Sequence, residues 1–151
     1  MVTYLVEDWF SVKDEMSALW PAHWEEVATN RDQIKLNLDF DSYAQYARSG
    51  ALHIVIARDQ GKIVGYHASI IRPHLHYLNS LSAFTDVYYI DKEYRKGYVG
   101  IKLFRFVEES LKARGVQKMF TGTKLSLDMG KLFEFLGWTE TERLYTKYIG
   151  D

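Results

Sequence analysis

The chain has 151 residues, with 19 basic and 20 acidic side chains, a formal charge of −1 at pH 7, no cysteine, and apolar and aromatic contents of 47% and 15%. A chain of that length reads as one domain, 1–151, able to bury about two-thirds of its unfolded surface. The even charge balance speaks against a grip on a nucleic-acid backbone, and the lack of cysteine excludes disulfides, thiolate metal sites and a cysteine nucleophile.

Residues 2–6 form a short opening strand. Glu7, Asp8, Lys13 and Asp14 then interrupt any apolar run. No membrane span or signal peptide is expected, and the chain reads as soluble and cytoplasmic. Ser11 with Asp14 three residues on marks a helix start resembling a capping box. Met16, Leu19 and Trp20 give that helix an apolar stripe. Pro21 ends or restarts it, and Trp20, His23, Trp24 and Val27 continue at helical spacing. A further helix is expected at 41–48, closed by Gly50.

From Leu52 the period changes to that of a strand that is apolar on both faces. The Asp59–Lys62 turn joins it to a second strand at 62–71 as a hairpin. Residues 72–79 read as an irregular loop, and a strand follows at 83–90. A helix at about 100–113 carries Leu103, Phe104, Val107 and Leu111 on one face and ends at Arg114-Gly115. The pattern closes with a strand at 116–121, a helix from Asp128 to Leu136 and a last strand at 143–149. This order predicts an α/β (α+β) fold with a mixed sheet, a parallel strand–helix–strand crossover, and helices on both faces.

Residues 86–104 carry the most chemistry. A strand feeds a basic turn with Gly97 and Gly100 into a helix, which aims unpaired backbone N–H groups and the positive end of the helix dipole at one point. Such a point suits a phosphate or pyrophosphate. Taken alone, the same turn is also compatible with a solvated basic loop. No Walker Lys-Ser/Thr or full Gly-x-Gly-x-x-Gly occurs, which weakens a nucleotide-binding protein of another class.

The element order and this turn resemble the GCN5-related N-acetyltransferase (GNAT) family over most of the chain. In that family a turn of form Arg/Gln-x-x-Gly-x-Gly/Ala binds the pyrophosphate of acetyl-CoA. Arg95-Lys96-Gly97-Tyr98-Val99-Gly100 stand there in this sequence, with Tyr98 in place of the middle glycine. Gly130-Lys-Leu-Phe-Glu-Phe-Leu-Gly-Trp138 is similar to the family's late helix and its Gly-aromatic end. Pro73–Tyr77, with Asp86-Val-Tyr and Arg95-Lys-Gly, resembles phage-encoded members. The resemblance implies acetyl-CoA as co-substrate, no metal, and a GNAT-like acyl-CoA N-acyltransferase fold.

It also implies that a backbone N–H among Tyr88, Tyr89 and Ile90 serves the thioester carbonyl, and that an acidic residue on the same strand is the base. Asp86 is the only acidic side chain within 83–90, on a face expected to include Phe84, Tyr88 and Ile90. Such neighbours would desolvate it and raise its pKa; the alternative is pairing with a cation or capping a loop. The family's acid, a tyrosine in the late helix, is replaced here by Phe133, which has no proton to donate. Tyr145 on the last strand is the substitute if the fold brings it near the sulfur; otherwise solvent protonates the thiolate.

His74 and His76 project together with Tyr77 opposite, which leaves three readings: metal binding without an evident third ligand, acceptor lining, or loop packing. Trp20, His23 and Trp24 either close a helix face over the acceptor or pack the core. Glu25-Glu26 either attract a cationic amine or are solvated. The resulting expectation is an N-acetyltransferase acting on a primary amine by direct transfer in a ternary complex. The alternative is a catalytically weak or inactive GNAT-fold module that binds a host or partner protein. The acceptor stays open between small molecules and protein amines. Dimerisation is common in the family, and the aromatic-rich surface permits a homodimer.

Overall fold

Five strands form one sheet in the order β1-β2-β3-β4-β5 in the computed structural model, which describes residues 1–151. They are β1 (Val2–Val6), β2 (Leu52–Asp59), β3 (Lys62–His74), β4 (Tyr77–Ile90) and β5 (Val116–Phe120). β1 through β4 pair antiparallel, and β5 runs parallel to β4. The helices are α1 (Trp9–Ser17), α2 (Trp20–Val27), α3 (Phe40–Arg48), α4 (Val99–Ala113) and α5 (Gly130–Phe135). No helix is long and apolar enough to cross a membrane.

The double apolar pattern of β2 has a direct cause. Ile54 and Ile56 join Tyr66 and Ala68 under Trp9, Val12, Met16 and Trp20 of α1 and α2. Val55 and Ala57 join Val64, Ala83 and Ile90 under Leu103, Val107 and Leu111 of α4. Strands covered on both sides are apolar on both sides, and the expected mixed sheet with helices on both faces is present. Arg58 of β2 pins this arrangement, meeting Glu7 in a two-bonded fork at 2.7 and 2.8 Å and Glu15 of α1 at 2.8 Å.

Several local expectations change. α1 starts earlier, because Asp8 rather than Ser11 caps it by accepting from the Phe10 N–H at 3.0 Å. Residues 72–79 are not an irregular loop. β3 runs on to His74 and β4 starts at Tyr77, so the two strands form one long hairpin. Here cross-strand pairing carries Pro73 and its neighbours into extended backbone despite their weak strand propensity. The strand expected at 143–149 is absent, since those residues have no strand to pair with and an isolated strand has no ladder.

Two irregularities in β4 set its direction and its free edge. Ser69 pairs with Thr85 and Ala68 with Val87, which leaves Asp86 as the extra residue of a β-bulge. On its other side β4 pairs with β5 only from Leu81/Val116 to Phe84/Phe120. Beyond Phe84 the two parallel strands part.

Candidate active site

The bulge decides which way Asp86 looks. Thr85 lies toward α4, its hydroxyl 3.3 Å from His67 Nε2, and the His67 ring meets Phe104. Tyr88 also faces α4, against Phe104 and Phe133, and Ile90 sits in the α4 core. Asp86 faces the opposite side, where its Oδ2 accepts a short hydrogen bond from Tyr43 of α3. The expected face shared with Tyr88 and Ile90 is therefore corrected: the extra residue reverses the alternation, and Asp86 lies on the side of Val87 and Tyr89.

Asp86 is solvent-exposed. The surrounding side chains nonetheless exclude enough water to raise its pKa, while the Tyr43 hydrogen bond pulls in the opposite direction. Tyr43 is pushed up in turn by burial and by the adjacent carboxylate. Trp9 stacks on Tyr43 at 4.9 Å and Trp20 lies 5.3 Å away, so the phenol that holds Asp86 is itself fixed by two indoles. Trp20 belongs to the core; Trp24, one turn later, is half-buried.

His23 of α2 continues this surface toward the strand end. Its Nδ1 lies 3.0 Å from the buried Tyr66 hydroxyl, and its ring meets Tyr89 at 5.3 Å. Burial lowers its pKa, so the neutral ring is favoured. At the other end of β4, His74 stacks over Phe84 and Phe120 and touches Tyr77, and the His76 N–H donates to His74 Nδ1 at 3.1 Å. Phe84 precedes Asp86 by two residues, so this aromatic group flanks the carboxylate.

The turn before α4 supplies the donors. No hydrogen bond within the chain engages the backbone N–H groups from Lys96 to Ile101, and no side chain caps α4. These six groups, with the helix dipole, fit an anion such as a pyrophosphate. Tyr98 costs the turn nothing: its φ is −90° and its side chain is 73% exposed. Gly100 is the constrained position, because a Cβ there would sit 2.9 Å from Ile90 Cδ1. Its absence lets the first turn of α4 close onto β4. Lys96 is exposed beside the donors. Arg95 turns inward, donating to the Ile90 carbonyl at 2.7 Å and to Glu26 at 2.8 Å.

Between turn and carboxylate lies the gap where β4 leaves β5. Thr85 to Ile90 have no neighbour on that side, so alternate backbone N–H and C=O groups of Tyr88, Tyr89 and Ile90 open into it. Tyr88 bridges the gap at one point, donating to the Gly122 carbonyl at 2.8 Å. Phe133 of α5 packs on Phe104 and Tyr88.

Asp86, the strand N–H groups and the 95–100 turn thus meet along one strand. Tyr145 does not join them. It is 85% exposed, on a segment that lies against no strand. Glu26, expected either to attract a cationic amine or to be solvated, is largely covered and bonded to Arg95 instead; Tyr43, the partner of Asp86, was not separable by sequence from other helix-surface residues.

Residues 9–138 match the sequence profile described as "Acetyltransferase (GNAT) family". No curated protein matches the chain. Among solved structures, a ribosomal-protein-alanine N-acetyltransferase from Brucella melitensis biovar Abortus 2308 superposes with a TM-score of 0.77 at 15% identity, over 100% of this chain and 99% of the other. Glucosamine-6-phosphate N-acetyltransferase from Arabidopsis thaliana gives 0.73 at 15% identity, over 99% of each chain. A predicted acetyltransferase with acetyl-CoA from Clostridium acetobutylicum gives 0.71 at 14%, over 98% of this chain and 96% of the other. Likeness at these identities is likeness of fold.

Proposed function

The chain belongs to the Acetyltransferase (GNAT) family, and on that premise we propose that it moves the acetyl group of acetyl-CoA to a primary amine by direct transfer in a ternary complex, with 1–151 acting as one domain. The reading is carried by the row of six unpartnered N–H groups at the start of α4, beside the gap that separates β4 from β5. A solved relative of the same fold was obtained with acetyl-CoA.

When bound, acetyl-CoA supplies a thioester whose carbon–sulfur bond is exchanged for the new carbon–nitrogen bond. The backbone of Lys96, Gly97, Tyr98, Val99 and Gly100 holds the pyrophosphate. Arg95 shapes that turn, its charge already shared with Glu26. One N–H among Tyr88, Tyr89 and Ile90 polarises the carbonyl. Asp86 takes the proton that the amine gives up, directly or through one water, with a pKa raised by its surroundings and a position set by Tyr43. Trp24, His74, His76 and Tyr77 line the acceptor side. Position 133 offers no proton, and Tyr145 is 85% exposed with no hydrogen bond to hold it at the gap, so the departing sulfur takes its proton from solvent.

Calorimetric titration with acetyl-CoA tests the first half of this reading, and binding in the micromolar range is expected. No heat at millimolar acetyl-CoA would sink it. Thiol release with a panel of polyamines, aminoglycosides, lysine peptides and N-terminal peptides tests the second half and identifies the acceptor. One observation favours another reading: Phe133 is buried among Tyr88, Phe104 and Trp138 where the family has a tyrosine. Under that reading the fold is a binding module for a host or partner protein, and acetyl-CoA binds without thiol release from any amine. Similarity of the Pro73–Tyr77 hairpin to phage-encoded members bears on source and leaves the chemistry unchanged.

A further inference from the structure

Thr85 and Asp86 are neighbours on β4 that serve opposite faces of the sheet. The Thr85 hydroxyl lies 3.3 Å from His67 Nε2 on the side of α4, while Asp86 accepts from Tyr43 of α3 on the other side. His67 is wholly buried, and Nδ1 of its ring has no partner. The contact with Thr85 is therefore the ring's only hydrogen bond. Phe104 of α4, itself wholly buried, meets the ring edge-on at 5.4 Å and fixes its plane.

The ladder gives this contact its meaning. Ser69 pairs with Thr85, Ala68 with Val87 and His67 with Tyr88. Between His67 and Ser69 β3 has one residue, whereas between Thr85 and Tyr88 β4 has two. The bond between Thr85 and His67 runs diagonally across that surplus. It joins the residue before the bulge to the one that faces the residue after it. Directly paired side chains share a face, and alternation puts His67 and Ser69 together under α4, with Ala68 in the opposite core. Thr85 reaches His67 only while the extra residue lies beyond it. If the bulge moved one place toward the start of β4, Asp86 would pair with Ser69 and Thr85 would turn away. The carboxylate would then stand under α4 beside His67, and Tyr43 would lose its partner. Both placements offer Asp86 a polar partner, so polarity alone does not choose between them.

We propose that Thr85 and His67 are positioning residues of the active site, and that the bond between them fixes the bulge at Asp86 and so aims the carboxylate at Tyr43 and the acceptor side. The inference rests on Asp86 as the proton acceptor of the reaction. Neither Thr85 nor His67 touches the reacting atoms. While the Thr85 hydroxyl holds Nε2, that nitrogen is closed to the carboxylate. Tyr43 holds Asp86 from one face and His67 holds its neighbour from the other, so two layers grip adjacent residues of one strand.

Thr85→Val removes the hydroxyl and keeps the shape of the side chain; Thr85→Ser restores the hydroxyl. In Thr85→Val the amides of 85–87 should exchange about tenfold faster, as expected for loss of one hydrogen bond. The Asp86 carboxyl carbon resonance should move, and nuclear Overhauser contacts between Asp86 and the Tyr43 ring should weaken. Thiol release from acetyl-CoA with the polyamine, aminoglycoside and peptide panel should fall about tenfold or more, as for a misplaced catalytic group, with calorimetric acetyl-CoA affinity unchanged. Thr85→Ser should restore all of these. A Thr85→Val protein with the wild-type Asp86 resonance and Tyr43 contacts overturns the proposal, and so does a Thr85→Ser protein that behaves like Thr85→Val. The resonance and exchange readouts need no turnover, so this failure is distinct from a failure of Asp86 as the base, which the Asp86→Asn rate decides.

Discussion

Arg95 and Glu26 join two elements that are 69 residues apart: Arg95 Nη2 donates to Glu26 Oε2 at 2.8 Å, while Arg95 Nε donates to the Ile90 carbonyl at 2.7 Å. The guanidinium also lies 5.8 Å from the centre of the Tyr89 ring. One side chain therefore ties α2, the end of β4 and the turn before α4 together. Both partners are largely covered, at 25% and 17% side-chain exposure. A double-mutant cycle with Glu26→Gln and Arg95→Gln, read by urea denaturation, should return a coupling of about 1–2 kcal/mol, between the values for surface and buried pairs. Additive effects would mean that the pair holds nothing.

Asp86→Asn should lower kcat by about 10²-fold or more, the usual worth of a general base, with acetyl-CoA affinity unchanged. Steady-state rates and calorimetry check the two halves. An unchanged rate would remove Asp86 as the base.

Tyr43→Phe tests the same carboxylate through its pKa. The Tyr43 hydrogen bond lowers the Asp86 pKa, against the raising effect of burial. Without it the pKa rises further, and a base must be ionised to work. The acid limb of the pH–rate profile should move to higher pH, while the rate well above that limb changes little.

Gly100→Ala places a methyl 2.9 Å from Ile90 Cδ1 in a closed seam. The cost should be about 1–2 kcal/mol, as for overpacking. Combining it with Ile90→Val, which removes Cδ1, should cost less than the sum of the two single changes. Gly97→Ala, with open space around the position, should be near neutral. Thermal denaturation of the four proteins measures all of this.

Two buried histidines set the acid side of stability. Arg114 donates to His53 Nδ1, so the His53 proton sits on Nε2, 2.8 Å from Ser110 Oγ. Burial and Arg114 push the His53 pKa down to about 4, and burial pushes that of His67 down to about 3. Between those values and the unfolded value near 6.5 the unfolded chain binds more protons, so the stabilisation is complete above that value and is lost as pH falls. From pH 6.5 to 5 the loss should be about 1.5 kcal/mol for each histidine. Urea midpoints should fall over that range, and a combined His53→Gln, His67→Gln variant should flatten the dependence.

The order of strands and helices was readable because the hydrophobic period switches cleanly at Leu52 and Gly115, and because β2 is apolar on both faces. The direction of Asp86 was not. One inserted residue reverses a strand's alternation, and it becomes visible only when Ala68 and Ser69 are seen opposite Val87 and Thr85. The role of Tyr43 and the partner of Glu26 escaped for a related reason, since each acts on a residue 43 or 69 positions away. Helical periodicity names a face but not what the face meets. Residues 143–149 failed differently: their composition suits a strand, but a strand is a relation between two segments, and composition describes only one.

The pair of indoles around Tyr43 gives the molecule an optical property. Trp9 and Trp20 lie 6.3 Å apart with their planes 28° from parallel, close enough for their excited states to couple. Tyr43 stands between this pair and the carboxylate at Asp86. Under the proposed function, an acceptor amine that takes the hydrogen bond of Asp86 releases the phenol beside both rings, so near-ultraviolet dichroism and tryptophan emission should report its arrival without an added dye. On the same reading, candidate acceptors should be distinguishable by tryptophan emission before any acetyl group has moved.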